Sequence, residues 1–465
     1  MVTRCFSMAD QDSFAKLSGD HNPVHVDPLA ARRLLLGGVA VHGVHLLLWA
    51  LDVLASDQEV RGFSRLRVHF EQGVIVGDSV TLNWRRDKDR LLAKLTGPSG
   101  TLVRISLTPG KEEALAWSGP KTIETAACEE HEMPALEARI GELALALPPE
   151  WTMMFPDLAV FPPTIVAALL AITRLVGMVS PGLHSILSVL DVSRDSAVPI
   201  GTALSYRVIR ADPRVNLVDM AVQSGGICGT VSAFLRPQPY RQKTVVELCE
   251  AVSPNEFAGQ EAIVIGGSRG LGELAAKLLA IGGARVTITW RQGSFEAESI
   301  IAEAAKLGLL IQAQHFDVAA PPVNQERPLA PYTHLYYFAT PRIPAGRPAQ
   351  FNPATFAMLL ETYLSGFARS VEWMAPRGVS NACIWYPSTV FVDLPNPCFA
   401  EYTAAKACGE ALCGQLSKQM APLRIVADRL PRLPSDQTQG LTPVDVADGV
   451  EVLLASLRRH SALGR

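Results

Sequence analysis

Residues 18–28 read Ser18-Gly19-Asp20-His21-Asn22-Pro23-Val24-His25-Val26-Asp27-Pro28. They place a carboxylate, Asp20, and an imidazole, His25, five residues apart across an Asn-Pro turn. Proline fixes its own φ and drives the residue before it out of the helical region. The two side chains therefore converge on one point instead of lying along one helix face. A carboxylate and an imidazole at one point can hold a single water and move protons around it. The glycine-bounded run Gly37-Gly38-Val39-Ala40-Val41-His42-Gly43-Val44-His45-Leu46-Leu47-Leu48 follows. It reads as the start of a buried helix whose N-terminal N–H groups could polarise a carbonyl oxygen.

Alternation typical of strands comes next, at Leu66–Phe70, Val80–Trp84, Leu91–Leu95 and Thr101–Leu107. One helix followed by antiparallel strands suits a sheet wrapped around that helix. A weaker copy follows, with an apolar helix over Pro162–Val179 and strands at Ile186–Val192, Ala203–Ile209, Leu217–Gln223 and Gly229–Arg236. The turn Val76-Gly77-Asp78-Ser79-Val80 has a counterpart in Ile200-Gly201-Thr202-Ala203-Leu204, and Gly100-Thr101-Leu102-Val103 in Gly229-Thr230-Val231-Ser232. This internal repeat predicts two tandem units. The second has no Asp-x-Asn-Pro-x-His loop, so its expected job is to complete the sheet and shape the substrate tunnel. The acidic stretch Pro109–Glu142 reads as their connection, and Pro237-Gln238-Pro239 starts a linker because proline cannot continue a ladder.

The Asp20-x-Asn22-Pro23-x-His25 loop before an apolar helix resembles the MaoC-like (R)-specific enoyl-thioester hydratases, over roughly the first hundred residues. The resemblance implies a hot-dog fold, here doubled, and an acyl thioester of coenzyme A or acyl carrier protein as substrate. It implies catalytic roles for Asp20 and His25, either of which could be the acid or the base. Asn22 would position the carboxylate, and N–H groups near Gly43 would hold the thioester oxygen. His42 and His45 are expected to shape the helix entrance; no third ligand has suitable spacing, so no metal is expected. Asp27 is expected to cap the segment from Pro28, and Arg85-Arg86 to be a solvated turn.

The remainder alternates short apolar runs with helical patterns, which implies a parallel α/β sheet. The β-branched strand Ala262-Ile263-Val264-Ile265 runs straight into Gly266-Gly267-Ser268-Arg269-Gly270-Leu271-Gly272 and a helix. Strand, glycine turn and helix N-terminus form a cradle for a dinucleotide pyrophosphate. A second strand, Arg285–Trp290, ends in Arg291 where an acidic residue would bind a ribose 2′-OH. Arg269 and Arg291 favour a 2′-phosphate instead, hence NADP(H). Ser388 lies 14 residues before Tyr402, and Lys406 follows Tyr402 by four, on one helix face.

This Ser…Tyr-x-x-x-Lys set with the glycine turn resembles the short-chain dehydrogenase/reductases, over roughly residues 258–460. The resemblance implies that Tyr402 donates a proton, Lys406 lowers its pKa and Ser388 binds the substrate carbonyl. It implies cofactor contacts at Gly266, Ser268, Arg269, Gly270, Leu271, Gly272, Arg291, Asp317, Val318, Ala339, Tyr402 and Lys406. The chain departs from the family in four motifs: Ile265 replaces Thr before the first glycine, and Tyr337-Phe338-Ala339-Thr340 replaces Asn-Asn-Ala-Gly. Tyr363 stands for the relay Asn, and Pro431-Arg432 for Pro-Gly. Tyr336 and Tyr337 read as core strand residues.

The expected architecture is an α+β double hot-dog followed by an α/β Rossmann domain with a doubly wound parallel sheet. Its expected boundaries are 1–120 for the catalytic hot-dog and 121–240 for the degenerate unit. A linker over 241–257 and the reductase-like domain over 258–465 follow. A reductase makes a 3-hydroxyacyl thioester and a hydratase of this type dehydrates its (3R) epimer, so the fusion implies consecutive steps of fatty acid or polyketide-type synthesis. The opposing expectation is an active hydratase fused to a non-catalytic NADP-binding scaffold.

Bulk properties narrow the field further. The formal charge of -3 offers no electrostatic footprint for nucleic acid. The eight cysteines, at 5, 128, 228, 249, 383, 398, 408 and 413, form no CxxC pair and point to a reducing, cytoplasmic setting. The first residues carry no charged leader followed by an apolar run, so secretion is not expected. The apolar stretches Val44–Ala55 and Thr164–Ser180 are interrupted by Asp52 and Arg174 and read as buried helices without a membrane span. A homodimer is left open.

Overall fold

The computed structural model of the chain describes all residues except 57–59, 99, 111–116, 196–200, 225, 327, 376–380 and 464–465. The expected counterpart turn at Ile200 thus lies partly outside the described residues. Two compact units emerge, one of Met1–Gln238 with Gly440–Thr442, the other of Pro239–Gln439 with Pro443–Arg465.

In the first unit, β1 (Val2–Cys5), β2 (Phe63–Phe70), β3 (Ser79–Asp87), β4 (Arg90–Gly97) and β5 (Gly100–Pro109) accompany the helices Met8–Ser18 and Gly43–Ser56. A second set follows: β6 (Ile140–Ala144), the helix Pro163–Arg174, β7 (Ser185–Arg194), β8 (Ala203–Asp212), β9 (Leu217–Ser224) and β10 (Ile227–Leu235). All ten strands form one sheet in the order β1-β3-β4-β5-β2-β7-β10-β9-β8-β6. Each half reads first-third-fourth-fifth-second outward to inward, so the internal repeat seen in the sequence is a repeat of topology. The halves join where β2 pairs antiparallel with β7, Leu66 opposite Val192.

Patterning explains these elements. Along β4, Leu91, Ala93 and Leu95 are buried while Arg90 and Lys94 are exposed, the period of two that a one-sided sheet demands. The Gly43–Ser56 helix buries residues all round its circumference, from Val44 to Leu51 without a break. Such a helix is stable only when enclosed. The Pro163–Arg174 helix is likewise buried from Thr164 to Thr173 and then widens into a π-turn over Leu175–Val179. Asp52 is tolerated in the apolar helix because its carboxylate accepts from the Leu158 N–H at 2.9 Å.

In the second unit, β11 (Glu261–Ile265), β12 (Arg285–Trp290), β13 (Ile311–His315), β14 (His334–Tyr337), β15 (Cys383–Thr389) and β16 (Arg424–Leu430) are all parallel. Their order is β13-β12-β11-β14-β15-β16. The order reverses between β11 and β14, and in open α/β sheets ligands bind at the strand ends beside such a reversal. Tyr336 and Tyr337 lie in the core of β14, each 1% exposed.

Three expectations need correction. Arg85 and Arg86, expected in a turn, lie within β3 opposite Leu92 and Leu91 of β4. The segment 241–257 is not a bare linker: Thr244 caps a short helix over Val245–Leu248 through a capping box. Leu248, Val252 and Phe257 join the core of the second unit with Leu278 and Val286. The stretch 109–142, read as a connection, contains the start of β6, which pairs with β8. Together with β1 it escaped the sequence reading because short edge strands carry little periodic signal.

Candidate active sites

The loop Gly19–Asn22 ends the Met8–Ser18 helix and turns the chain inward. Asn22 then caps the four-residue helix Pro23–Val26 by accepting from the Val24 N–H at 3.2 Å, and Asp27 caps Pro28–Ala31 as expected. Asp20 and Asn22 are each 1% exposed. The Asp20 Oδ1 accepts from the Asn22 N–H at 3.2 Å. His25 Nδ1 donates to the carbonyl oxygen of Ala40 at 2.7 Å, just before the Gly43–Ser56 helix begins. That bond fixes the tautomer of the neutral ring and leaves Nε2 as the bare nitrogen.

His42 stacks on His25 with ring centroids 3.8 Å apart. The Gln11 side-chain oxygen accepts from the His42 backbone N–H at 3.1 Å and faces His42 Nδ1 at 2.9 Å. His42 Nε2 faces the carbonyl oxygen of Asp20 at 3.0 Å and lies 4.0 Å from its Oδ2. Burial pushes the Asp20 carboxyl above its ordinary value against the pull of His25 and Thr173. Burial also holds His25 below its ordinary value and His42 well below it, and takes His45 down to about 3. All are consequences of removing charge from water.

The second repeat completes this centre, a role beyond shaping a tunnel. The Thr173 hydroxyl donates to Asp20 Oδ2 at 2.7 Å. The Asn22 amide donates to Gly177 O at 2.8 Å and Leu183 O at 3.2 Å. A Cβ on Gly177 would stand 2.3 Å from Asp20 Oδ1, so glycine is required there for the carboxylate to fit. At the helix start, a Cβ on Gly43 would meet Phe70 Cε1 at 3.1 Å and Leu187 Cδ2 at 3.4 Å.

The structure also revises the reading of His42. Asp20, His25 and His42 bring ligand-type atoms within 4.8 Å of one another, a grouping that spacing along the chain could not reveal. The lone pairs do not suit an ion, because both His42 nitrogens and His25 Nδ1 already face other partners.

In the second unit the glycine turn is tight. Gly266 has φ +76°, and a Cβ there would lie 2.8 Å from the Ala339 nitrogen. A Cβ on Gly272 would lie 2.3 Å from Gly266 O. Thr289, which the sequence reading missed, accepts from the Gly266 N–H at 2.9 Å through its hydroxyl and ties the turn to β12. The twelve-residue helix Gly270–Ile281 begins within the turn, as a pyrophosphate cradle needs. Ser268 in the turn and Leu271 in the helix are partly buried. Arg269 is drawn to the Asp436 carboxylate at 3.6 Å, while Arg291 is exposed just past β12. Asp317 Oδ1 accepts from the Ala319 N–H at 3.0 Å, and Val318 O accepts from Arg369 at 3.0 Å.

Tyr402, Lys406 and Glu410 succeed one another at i, i+4 and i+8 on the Ala400–Gln419 helix. Lys406 Nζ donates to Pro387 O at 2.6 Å and lies 4.0 Å from the centre of the Tyr363 ring. Burial lowers its pKa to about 7. Burial also raises Tyr402 to about 12, against a hydrogen bond from Thr389. The expected lowering of Tyr402 by Lys406 is therefore not what the structure displays. Ser388 gives its single hydroxyl hydrogen to Glu410 Oε1 at 2.5 Å. Arg429 holds the same carboxylate, through Nε to Oε1 at 2.9 Å and Nη2 to Oε2 at 2.6 Å.

Among the described residues, no helix is long and apolar enough to cross a membrane. Residues 2–97 match the family model described as MaoC like domain, so the chain carries a MaoC-like domain at its N-terminus. Over 99 residues it is 26% identical to the mitochondrial 3-hydroxyacyl-[acyl-carrier-protein] dehydratase of Arabidopsis thaliana. That stretch covers 20% of this chain and 60% of the relative's length.

Solved structures similar to this chain include a dehydrogenase/reductase from Sinorhizobium meliloti 1021, with 18% identity and a TM-score of 0.39 over 47% of this chain and 93% of that one. A short chain dehydrogenase from Burkholderia cenocepacia J2315, solved in complex with NADP, has 20% identity and a TM-score of 0.38 over 43% and 90%. The angucycline C-6 ketoreductase LanV, solved with bound NADP, has 15% identity and a TM-score of 0.40 over 46% and 93%.

Proposed function

We propose that the chain is a bifunctional enzyme whose first unit, a double hot-dog, interconverts (3R)-3-hydroxyacyl and trans-2-enoyl thioesters. The observation that carries this is the convergence of Asp20, Asn22 and His25 beside the start of the Gly43–Ser56 helix, inside a domain matching the MaoC-like model. In dehydration, the bare Nε2 of His25 takes the C2 proton. Asp20, whose carboxyl is pushed up by burial, carries the proton that leaves with the C3 hydroxyl. N–H groups at the start of the helix hold the thioester oxygen as charge develops on it. Hydration runs the same steps in reverse. The acyl group arrives on coenzyme A or on acyl carrier protein, in fatty acid or polyketide-type synthesis.

For the second unit the proposed reading is a doubly wound Rossmann domain that reduces a 3-oxoacyl thioester. The glycine cradle that any Cβ at Gly266 or Gly272 would fill suits a dinucleotide pyrophosphate, and Arg291 with Arg269 suits a 2′-phosphate. Gly266, Ser268, Gly270, Leu271 and Gly272 would hold that pyrophosphate, with Asp317, Val318 and Ala339 along the adenosine side. NADP(H), when bound, supplies the hydride. Tyr402, kept protonated by burial, donates to the substrate oxygen. NADPH oxidation with an acetoacetyl thioester, abolished by Tyr402→Phe while NADPH binding persists, tests this step.

One observation favours the second reading, a scaffold that binds NADP without catalysis. Ser388 spends its only hydrogen on Glu410, so in this arrangement it has none to give to a substrate carbonyl. Tight NADPH binding with no oxidation on thioesters of several lengths, on either carrier, supports the scaffold.

A further inference from the structure

Arg236 stands just past the end of β10 and is 5% exposed. Its backbone N–H donates to His184 O at 2.8 Å, and its Nη2 donates to Leu183 O at 2.8 Å. The Asn22 amide donates to that same Leu183 carbonyl at 3.2 Å. The guanidinium and the catalytic loop are thus joined through one oxygen atom. Burial holds His25 and His184 below their ordinary values, and the Arg236 charge adds to this in both. The other two guanidinium nitrogens, Nε and Nη1, are buried and have no hydrogen-bond partner among the described residues. Burial lowers the pKa of this group to about 10, and among the described residues no carboxylate offsets it. Neighbouring buried atoms are unsatisfied as well: Ser180 Oγ and His184 Nδ1 in the adjoining turn.

A buried guanidinium without a counter-charge is costly, whereas a paired one is tolerated. Glu130 is engaged by His184 at 2.9 Å and by Gln238 at 2.7 Å. A neutral acyl chain would leave the cation uncompensated. A phosphate of the carrier arm belongs at the mouth of a tunnel, where water screens it, and not beside the reacting imidazole. A carboxylate on the acyl chain supplies both the missing charge and the missing acceptors, and charge-assisted pairs with arginine are the strong ones.

We propose that Arg236 is a substrate-binding residue that selects acyl thioesters bearing a free carboxylate on a short chain, that is, monothioesters of dicarboxylic acids. The proposal rests on the thioester reading of the first unit. Its test is chosen to fail separately from that reading.

The full chain is titrated with saturated coenzyme A thioesters in matched pairs: succinyl against butyryl, glutaryl against valeryl, adipyl against hexanoyl. Because the coenzyme is common to each pair, only the carboxylate differs. At least one diacid is expected to bind ten-fold or more tightly than its partner. Arg236→Met should erase that preference, and Arg236→Lys, which keeps a cation, should retain part of it. Loss of both ligands alike in Arg236→Met identifies the arginine as a mere prop for the Leu183 carbonyl and overturns the proposal. Wild-type binding that does not distinguish any pair, including no measurable binding of either member, overturns it too, and leaves interior water as the partner of the orphaned nitrogens. A diacid preference in a protein that hydrates no enoyl thioester upholds the site and counts against the hydratase reading instead.

Discussion

The hydroxyl of Tyr363 lies 2.5 Å from Oγ1 of Thr340, so two of the positions where the second unit departs from the reductase pattern are bonded to each other. Tyr363 sits in a π-helical turn over Glu361–Gly366, and its ring covers the Lys406 ammonium. On the proposed reductase reading, an asparagine here would offer an amide to a water chain, and the aromatic ring would close that route. Replacing Thr340 alone takes this partner from the buried Tyr363 hydroxyl, whereas Thr340 itself is exposed and also donates to Pro341 O at 3.1 Å.

Restoring both positions tests this coupling. Tyr363→Asn combined with Thr340→Gly should oxidise NADPH with an acetoacetyl thioester about ten-fold faster than wild type, within the range of proton-transfer assistance. Each single variant should gain less than the pair. A folded double variant no faster than wild type contradicts the proposed role of Tyr363 in blocking proton supply.

Thr173→Val removes the hydroxyl that donates to Asp20 while keeping shape and apolar contacts. A hydrogen bond to a charged group is worth about 1.5–3 kcal/mol, so hydration should fall roughly ten- to a hundred-fold. Gly177→Ala, which drives a methyl against Asp20 Oδ1, should be at least as severe. Unchanged rates in both would mean that the second repeat only supports the sheet.

Cofactor choice rests more on Arg291 than on Arg269, whose guanidinium is drawn to Asp436. Fluorescence titration should find NADPH bound more tightly than NADH. Arg291→Ala should lower NADPH affinity about ten- to a hundred-fold, with NADH little affected. Equal wild-type affinities for the two nucleotides remove the argument for a 2′-phosphate clamp.

Lys406 has a folded pKa of about 7 against an ordinary 10.5. Between those values the unfolded chain binds the proton and the folded chain does not, so this group's contribution to stability rises with pH across that interval. Below about pH 7 both states carry the proton and the full burial penalty is present. Denaturation of wild type and Lys406→Met from pH 6 to 10 should therefore show the variant's advantage largest at the acid end and shrinking as pH rises. A pH-independent difference excludes a buried, titrating ammonium.

What the sequence disclosed follows the range of the interactions. Proline at 23 made the meeting of Asp20 and His25 legible, because the constraint acts within a few bonds. The glycine turn was legible for the same reason. Thr173 donates to Asp20 from 153 residues away, and nothing near either residue announces it. His42 was visible, but its stacking on His25 depends on the loop folding back over the helix start. Glu410 was the avoidable miss, since it continues the i, i+4 row of Tyr402 and Lys406 by one more step. The pKa of Tyr402 was misjudged because spacing says which groups share a face, not how much water reaches them.

Hydration of a crotonyl thioester, followed by loss of the enoyl-thioester absorbance, tests the central claim most directly. Wild type should turn over. Asp20→Asn and His25→Gln should each lose at least about 10²-fold while remaining folded, the loss expected when one member of an acid–base pair is removed. Near wild-type rates in both folded variants would contradict the assignment of Asp20 and His25 as the reacting pair.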